Sequence, residues 1–326
     1  MTRLSVAVVL LCLVNSVAGA ASGTMTARRS PSTLGVPQGI AFWDRTHGLA
    51  WFSRVRCADR GGCSTLSVTS DGGRTWAPVL DPRSVTQVAV ARGRKEAWLV
   101  EDDCDFWPRC RPRLLRSEDR GRSWRPIGLG VLELTFANER VGFGALYDKA
   151  DRWSLQRSDD GGRSWSMVRS PCGEVGPWGV PHSSFPAARR GWIACGGQPG
   201  TGSQLKAVFQ TSDGGRSWQL RMSAGWNGRS TRGAISSAGY IHGIAAAGGR
   251  VWIWQSRYVS YTSSDGGRTW RKIGFTQPDA VEIADLAPVS RRVTFALVRV
   301  APKRYDIRRT EDGGRRWNVV RSWRVR

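Results

Sequence analysis

Histidine is scarce in this chain of 326 residues, and its cysteines lack the spacing of a metal site. It contains three His residues, and none of its seven Cys residues forms a Cys-x-x-Cys pair or has a His ligand nearby in the sequence. Zinc sites require such sets of ligands. Asp159-Asp160-Gly161-Gly162 resembles a calcium loop but lacks the later acidic ligand. The Gly196 to Gly202 stretch does not lead into a helix as a phosphate-binding loop would. We therefore predict no metal and no cofactor.

Long apolar runs are also scarce. The one clear run, from Leu4 to Val17, follows Arg3 and precedes the small residues Ala18-Gly19-Ala20, a pattern typical of a cleaved export signal. It is shorter than the roughly 20 residues that span a bilayer. We predict a signal peptide at 1–20, a linker at 21–37 and one domain at 38–326. The expected location is extracytoplasmic: secreted, periplasmic or associated with the cell envelope, with no transmembrane segment after cleavage.

Lysine is scarce although the chain is strongly basic. Only five of its 49 basic residues are Lys, 26 residues are acidic, and the net charge is +23. An excess of Arg has a plain explanation in a GC-rich genome; the functional alternative is a surface that attracts polyanions. We predict an anionic protein or an envelope polymer as the partner of a monomeric protein. Nucleic acid is disfavoured, because export removes the protein from most of it and no nucleic-acid-binding motif occurs.

One octapeptide recurs six times, with the pattern Ser/Thr-x-Asp-x-Gly-x-Thr/Ser-Trp. Two copies depart from it mildly, with Arg120 in place of the usual first Gly and Arg316 in place of Thr or Ser. The aspartates lie 41 to 53 residues apart, a period expected of four-stranded propeller blades. The Asp and Trp residues of the six copies are Asp71 and Trp76, Asp119 and Trp124, Asp160 and Trp165, Asp213 and Trp218, Asp265 and Trp270, and Asp312 and Trp317.

Each octapeptide is predicted to be a hairpin turn. An Asp side chain can accept bonds from nearby backbone N–H groups, and Gly tolerates the positive φ of a tight turn. Two strands precede the strand that enters each turn, for example Gly39–Trp43 and Leu49–Ser53 in the first unit. Each unit thus supplies strands A, B and C, the octapeptide turn, and strand D. We predict an all-β fold, a six-bladed β-propeller of four-stranded antiparallel blades, with the six Trp side chains buried and little helix.

The octapeptide resembles the Asp-box, or bacterial neuraminidase (BNR) repeat, of sialidases, sortilin-type receptors and photosystem II assembly factors. The resemblance covers roughly residues 38 to 326 and implies that the octapeptides are structural turns at the blade periphery, between strands C and D. Phe42 to Gly48 and the Gly191-Trp192 pair resemble the A to B hairpin of the assembly factors. That family's propeller is usually seven-bladed, so the photosynthetic role is not carried over.

Six cysteines remain after the signal peptide, an even set in an exported protein. Cys57 and Cys63 flank the B to C loop of the first unit, and Cys104 and Cys110 occupy the equivalent loop of the second with the same spacing. The remaining two would join the connection into the fourth unit to its B strand. We predict the disulfides Cys57–Cys63, Cys104–Cys110 and Cys172–Cys195; a metal site is the alternative that the cysteines leave open.

The predicted topology separates two faces. The B to C loops and D to A connections emerge on one side, here called the looped face; the A to B turns and the octapeptide turns emerge on the other, here called the octapeptide face. Four long irregular stretches are predicted on the looped face, at 102–113, 170–182, 198–206 and 226–240, and long loops on a rigid scaffold commonly bind ligands. The candidate contact residues there are Phe106, Trp107, Arg109, Trp178, Trp226, Arg229, Arg232 and Tyr240. Each aromatic ring could instead pack beneath its own loop.

Two classes of function fit these features. The first is an exported, non-catalytic binding or assembly propeller that recognises an anionic partner through the looped, Arg-rich face. The second is a sialidase-like glycoside hydrolase acting on an acidic sugar, which needs an Arg cluster, a Tyr nucleophile with a Glu partner, and an acid. The Phe/Tyr-Arg-Ile-Pro motif of sialidases is missing ahead of the first octapeptide, where the sequence reads Gly35 to Phe42. No catalytic residue is therefore assigned, and the first class is favoured.

Overall fold

The computed structural model describes residues 35–53, 64–81, 84–101, 112–147, 152–175, 180–224, 235–256, 260–273 and 282–325. They form six separate sheets, each of four antiparallel strands in sequential order, which confirms the predicted six-bladed propeller. The described residues contain one short 3-10 helix, Pro171–Val175, and no helix in them is long and apolar enough to cross a membrane.

Each blade is built from one contiguous stretch of chain. Blades 1 to 3 contain β1 Val36–Phe42, β2 Gly48–Ser53, β3 Ser64–Thr69 and β4 Ala77–Leu80; β5 Val85–Val90, β6 Ala97–Glu101, β7 Arg113–Ser117 and β8 Arg125–Leu129; and β9 Leu132–Phe136, β10 Gly142–Tyr147, β11 Trp153–Ser158 and β12 Ser166–Val168. Blades 4 to 6 contain β13 Val180–Ser184, β14 Gly191–Gly200, β15 Ser203–Thr211 and β16 Gln219–Ala224; β17 Ile241–Ala247, β18 Arg250–Gln255, β19 Ser260–Ser263 and β20 Arg271–Ile273; and β21 Glu282–Pro288, β22 Thr294–Ala301, β23 Arg304–Thr310 and β24 Asn318–Arg324.

At three of the six blade interfaces, successive blades are joined by stacked aromatic rings. The Trp98 ring in strand B of blade 2 stacks on Phe136 at the end of strand A in blade 3, with centroids 3.5 Å apart. Phe143 stacks in the same way on Phe185 of blade 4, at 3.4 Å. Contacts between buried aromatic rings contribute energy beyond the area that they bury. The core of the molecule therefore consists of layers between the blades.

Glycine at the start of strand B makes room for these rings. Phe42, Phe136 and Phe185 each precede a Gly by six residues, and each ring lies over that Gly. A Cβ atom at Gly191 would lie 2.2 Å from the Phe185 ring, a distance that no side chain tolerates. The Phe-x5-Gly pattern of the A to B hairpin is therefore a packing requirement.

The ring closes by packing of blade 1 against blade 6. The Phe42 ring stacks on Phe295 at 3.7 Å, and the Ile40 N–H donates to Asp285 Oδ2 at 2.9 Å. Within the described residues, every strand of blades 1 and 6 comes from its own segment of the chain. The ring is thus closed by side-chain packing and by the hydrogen bond from Ile40 to Asp285. The first strand begins at Val36.

The octapeptide turns share one hydrogen-bond network. In the first copy, Asp71 Oδ1 accepts bonds from the backbone N–H groups of Arg74 and Thr75, each at 2.9 Å, and Thr69 Oγ1 accepts from Gly73 N–H at 3.0 Å. Burial alone would raise the pKa of Asp71, but these bonds to the charged carboxylate outweigh it and lower the pKa. The first Gly N–H donates to the A to B turn of its own blade, to Thr46 O at 2.8 Å, so the two turns lie together on the octapeptide face.

Two expectations from the sequence were wrong, one about burial and one about secondary structure. Among the octapeptide Trp side chains, only Trp317 is buried, whereas Trp76, Trp124, Trp165, Trp218 and Trp270 are half-buried. The physical reason is their position at the blade edge, where four of these five indoles meet a neighbouring ring edge-on, as Trp218 meets Phe185. All five keep part of their surface in solvent. The second concerns the stretch 198–206, which is not irregular: β14 and β15 extend through it to a tight turn at Thr201 and Gly202.

One of the three predicted disulfides lies in the described residues and is confirmed. Cys172 and Cys195 are bonded, with Cα atoms 5.2 Å apart, and they tie the 3-10 helix to strand B of blade 4. Cys195 sits within β14 and not at its end, because that strand continues to Gly200. The pairs Cys57–Cys63 and Cys104–Cys110 lie outside the described residues and stay predictions.

The difference in burial predicts a difference in stability. Replacing Trp317 by Ala should lower the free energy of unfolding by about 3–5 kcal/mol, the range for large-to-small changes in a core. Trp218→Ala should cost clearly less, because its indole already contacts solvent. Urea denaturation of both variants measures this, and equal losses would contradict it.

The backbone conformation of Arg120 predicts that its replacement by Gly stabilises the fold. It replaces the first Gly of an octapeptide turn and adopts φ of 61°, a conformation that favours Gly. Arg120→Gly should therefore raise the free energy of unfolding by up to about 1 kcal/mol. Arg120 Nη2 lies 3.5 Å from Asp44 Oδ2, but such half-exposed ion pairs contribute little. Urea denaturation with Arg122→Gly as the control tests this, and a lower stability than wild type would show that the ion pair dominates.

Candidate functional site

The six A strands surround a central channel. A cavity of about 440 Å³ lies in it and is lined by residues from every A strand, from Gln38 in blade 1 to Pro288 in blade 6. Its walls combine apolar side chains with a small number of polar groups, as is usual for ligand sites. The channel is therefore the first candidate site.

Irregular pairing turns polar side chains into this channel. Four A strands skip one residue relative to strand B near the looped face, at Gln38, Thr86, His242 and Ala284. Strand A of blade 3 has the equivalent irregularity, where Glu133 adopts φ of 53°. All five residues line the channel, and such bulges commonly re-aim side chains beside functional sites.

Polar pairs link neighbouring blades in the half of the channel nearer the looped face. His182 Nδ1 lies 2.8 Å from Glu133 Oε2 and joins blades 3 and 4. His242 Nδ1 lies 3.6 Å from Glu282 Oε1 and joins blades 5 and 6. Asp285 accepts backbone bonds from Ile40 and Leu286, at 2.9 and 2.8 Å. These contacts therefore help to hold neighbouring A strands together, and Glu133, His182, His242 and Asp285 also line the channel.

Burial and charge set the protonation of these groups. Burial raises the pKa of Asp285 to about 6 against the effect of its two backbone bonds. Burial opposes the charge of His182, but the carboxylate of Glu133 outweighs it and raises the pKa of that His. The pKa of His242 is lowered, first by burial and also by the nearby His182. The channel thus holds one His that favours the charged form and one that favours the neutral form.

A second candidate site is a cluster of arginines on the octapeptide face, where blades 5 and 6 meet. Arg250 Nε donates to Arg291 O at 3.0 Å, and Arg271 Nη2 donates to Gly313 O at 3.3 Å. Burial lowers the pKa of Arg250, and the charges of Arg271, Arg291 and Arg315 lower it further. We call Arg250, Arg271, Arg291 and Arg315 the arginine cluster; the sequence analysis did not identify it, because its members belong to two blades.

The predicted contact residues are largely outside the described part of the chain. Tyr240 is described; its hydroxyl accepts a bond from Gly202 N–H at 3.1 Å and so fastens the end of the D to A connection to the hairpin of blade 4. It is not among the described residues that line the channel. The other seven, which lie outside the described residues, are Phe106, Trp107, Arg109, Trp178, Trp226, Arg229 and Arg232.

The pairs Glu133–His182 and His242–Glu282, and the buried Lys206, were not predicted from the sequence. Lys206 is fully buried, and its Nζ donates to the backbone oxygens of Ser236, Ser237 and Ala238 at 2.7 to 3.0 Å. Burial lowers its pKa to about 8. One signal was present, because Lys is rare in this chain and its choice over Arg fits a compact site with three acceptors.

Comparison with known proteins supports the fold and leaves the function open. No protein-family model and no curated protein matches the chain. Similar solved structures include YCF48 bound to a D1 peptide, which is 19% identical over 88% of this chain and 82% of that chain, with a TM-score of 0.48. A GH93 α-L-arabinofuranosidase of Fusarium graminearum with arabinobiose is 12% identical, over 82% and 92% of the two chains, with a TM-score of 0.56. A sialidase of Trypanosoma rangeli is 12% identical, over 85% and 54%, with a TM-score of 0.54. At such identities the likeness is one of fold.

The pKa of Asp285 predicts a pH-dependent stability. Its folded pKa of about 6 lies above the usual 3.8, so the folded state binds this proton first, and the resulting stability is lost as the pH rises through about 6. Relative to Asp285→Asn, the wild type should gain about 1 kcal/mol between pH 7 and pH 5. Denaturant titrations of both proteins at the two pH values measure the gain. The half-exposed turn variant Glu139→Gln is the control, and a flat difference for Asp285→Asn would contradict the assignment.

Proposed function

We propose that this protein is an exported, extracytoplasmic binding or assembly propeller that works as a monomer and recognises an anionic protein segment or cell-envelope polymer. The observation that carries the proposal is the arginine cluster. Four guanidinium groups approach one another there closely enough to lower the pKa of Arg250. Like charges held together by the fold are favourable once an anion lies among them.

The surroundings of the arginine cluster leave it positively charged. The charge of Asp312 opposes the lowering of the Arg250 pKa, but its carboxylate already accepts the backbone bonds of its own octapeptide turn, from Arg315 at 2.8 Å and Arg316 at 3.0 Å. Arg315 is exposed and has no carboxylate partner among the described residues. An anionic partner would therefore meet guanidinium groups that donate to backbone oxygens but form no ion pair with a described carboxylate. Guanidinium groups suit carboxylate, sulfate and phosphate oxygens.

Ion pairs occur on both faces; on the octapeptide face, for example, Arg94 pairs with Glu139 at 3.6 Å and Arg125 pairs with Glu118 at 2.7 Å. On the looped face, Arg113 pairs with Glu101 at 3.1 Å and Arg299 pairs with Glu282 at 2.8 Å. On the octapeptide face, three further exposed arginines have no carboxylate partner among the described residues: Arg189, Arg190 and Arg292. The looped-face candidates predicted from the sequence, Arg109, Arg229 and Arg232, lie outside the described residues and are tested beside the cluster.

A glycoside hydrolase is the second candidate, and Asp285 is the observation that favours it. A carboxyl group with a pKa of about 6 lines the same cavity as Glu133, and glycosidases use pairs of carboxyl groups. The sialidase form of that chemistry also needs a tyrosine nucleophile. None of the described channel-lining residues is a Tyr. We therefore rank binding first.

The binding proposal predicts steep salt dependence. Fluorescently labelled poly-L-glutamate should bind the wild type at about 50 mM NaCl and much more weakly at about 300 mM, because exposed charges are screened within a Debye length. Arg291→Gln with Arg315→Gln should weaken binding about tenfold, since each exposed charge contact contributes up to about 1 kcal/mol. Arg216→Gln, at the position of Arg315 in the fourth octapeptide, is the matched control.

The same titration decides the face and the class of function. A larger loss from Arg109→Gln with Arg229→Gln than from the cluster variant would move the contact to the looped face. Salt-independent binding, or equal losses from the cluster and control variants, would overturn the anionic partner. Turnover of a fluorogenic sialoside that is abolished by Asp285→Asn or Tyr240→Phe would favour the hydrolase.

A further inference from the structure

Arg92 lies at the end of the channel on the octapeptide face, and its position is fixed by the neighbouring blade. It belongs to the A to B turn of blade 2, between β5 and β6. Gly93 N–H donates to Trp43 O at 3.1 Å, and Trp43 Nε1 donates to Glu96 O at 2.8 Å. These two bonds attach the turn to blade 1. The Arg92 side chain then crosses the channel, where Nη1 donates to Pro288 O of blade 6 at 3.4 Å.

The guanidinium of Arg92 forms few hydrogen bonds for a group that protein atoms surround. An Arg side chain carries five N–H donors, and the described residues give this one a single long bond to a backbone oxygen. It forms no ion pair with any described residue. The end of the channel around it is mainly apolar, formed by the A-strand residues Phe42, Val90 and Phe136.

An unpaired charge in such a place costs folding energy. Protein atoms surround Arg92 while part of its surface stays open to the channel, and this burial lowers its pKa to about 10. The group therefore still carries its charge at neutral pH. Buried charges in proteins are usually paired, and removing one partner of a pair is strongly destabilising. The missing partner is thus the feature to explain.

We propose that the octapeptide-face end of the central channel binds one carboxylate group, which pairs with Arg92. The planar fork of a guanidinium matches the two oxygens of a carboxylate. One isolated Arg among apolar walls balances one negative charge, whereas a phosphate carries more charge and a third oxygen that would need donors of its own. The channel end thus fits a carboxylate better than a phosphate.

The source to which we commit is an acidic protein segment of the partner, with a Glu or Asp side chain or the chain terminus inserted into the channel. This rests on the proposed function, because the arginine cluster and Arg92 lie on the same face and would hold one acidic segment at two places. A branched polymer would meet the surface arginines without inserting a group into the channel end where Arg92 lies.

The test measures thermal shifts of the full chain with matched pairs of short peptides. One peptide carries a single Glu with blocked ends, a second carries Gln in its place, and a third has a free carboxyl terminus and neutral side chains. Acetate and inorganic phosphate at equal ionic strength are the small-anion arms. The wild type should be stabilised by the Glu peptide, the free-terminus peptide or both, and by acetate, but not by the Gln peptide.

Arg92→Met tests the residue. This variant should lose the shift, with affinity for the carboxylate peptides reduced at least about tenfold, as expected when a charged bidentate partner is removed. Without ligand it should melt at or above the wild-type temperature, because an unpaired buried charge has been replaced by an apolar side chain of similar length. Arg94→Met, an exposed residue of the same turn that pairs with Glu139, is the control and should keep the shift. If Arg92→Met fails to fold, Arg92→Lys replaces it and should reduce the shift, because Lys keeps the charge but not the fork.

The outcomes are distinct. An equal shift in Arg92→Met and wild type, or an equal response to phosphate and acetate, would overturn the carboxylate site. A response to acetate without either peptide would overturn the protein segment as its source. Loss of the peptide shifts with intact poly-glutamate binding would overturn this inference alone, whereas an Arg92-dependent shift without salt-dependent poly-glutamate binding would overturn the proposed function alone.

Discussion

The rest of the structure depends on the packing of an aromatic ring between successive blades. A ring at the end of strand A lies over a Gly of its own blade and stacks on strand B of the preceding blade, as Phe136 does on Trp98. The ring can occupy this place only because the Gly has no Cβ. These stacks set the distance between neighbouring A strands, and the A strands form the channel. The same interaction between Phe42 and Phe295 closes the propeller.

Arginine has two roles in this fold, one in packing against aromatic rings and one at the surface. Both groups of arginines contribute to the net charge. Arg116, Arg157, Arg250 and Arg309 each lie over a ring of an inter-blade layer, with Cζ 5.3 to 5.8 Å from the ring centroid. Arg157 also donates to Gly214 O in the octapeptide turn of the next blade, at 3.4 Å. Such cation–π contacts stabilise the blade interfaces. Part of the basic composition is therefore structural, and the arginines left unpaired on the octapeptide face carry the functional argument.

The channel combines structural and functional roles in the same side chains. The pairs Glu133–His182 and His242–Glu282 link A strands across two blade interfaces, and Asp285 links a third. Because Glu133, His182, His242 and Asp285 also line the cavity, any ligand in that half of the channel would compete with contacts that stabilise the ring. Arg92 differs from them, since it lies at the opposite end and its charge has no carboxylate partner among the described residues. That difference is the reason for assigning ligand binding to its end of the channel.

The sequence by itself determined the number of blades, the strand order, the octapeptide turns and the Cys172–Cys195 bond, because turn hydrogen bonds, strand alternation and loop spacing act over short stretches of chain. It led to wrong expectations for the burial of Trp218 and for the stretch 198–206, because exposure at a blade edge and the length of a hairpin depend on the neighbouring blade. Only the tertiary structure brought Arg250 beside Arg315 and Glu133 beside His182. Charges from different repeats meet through the radial arrangement of blades, and no local pattern in the chain encodes which of them will face each other.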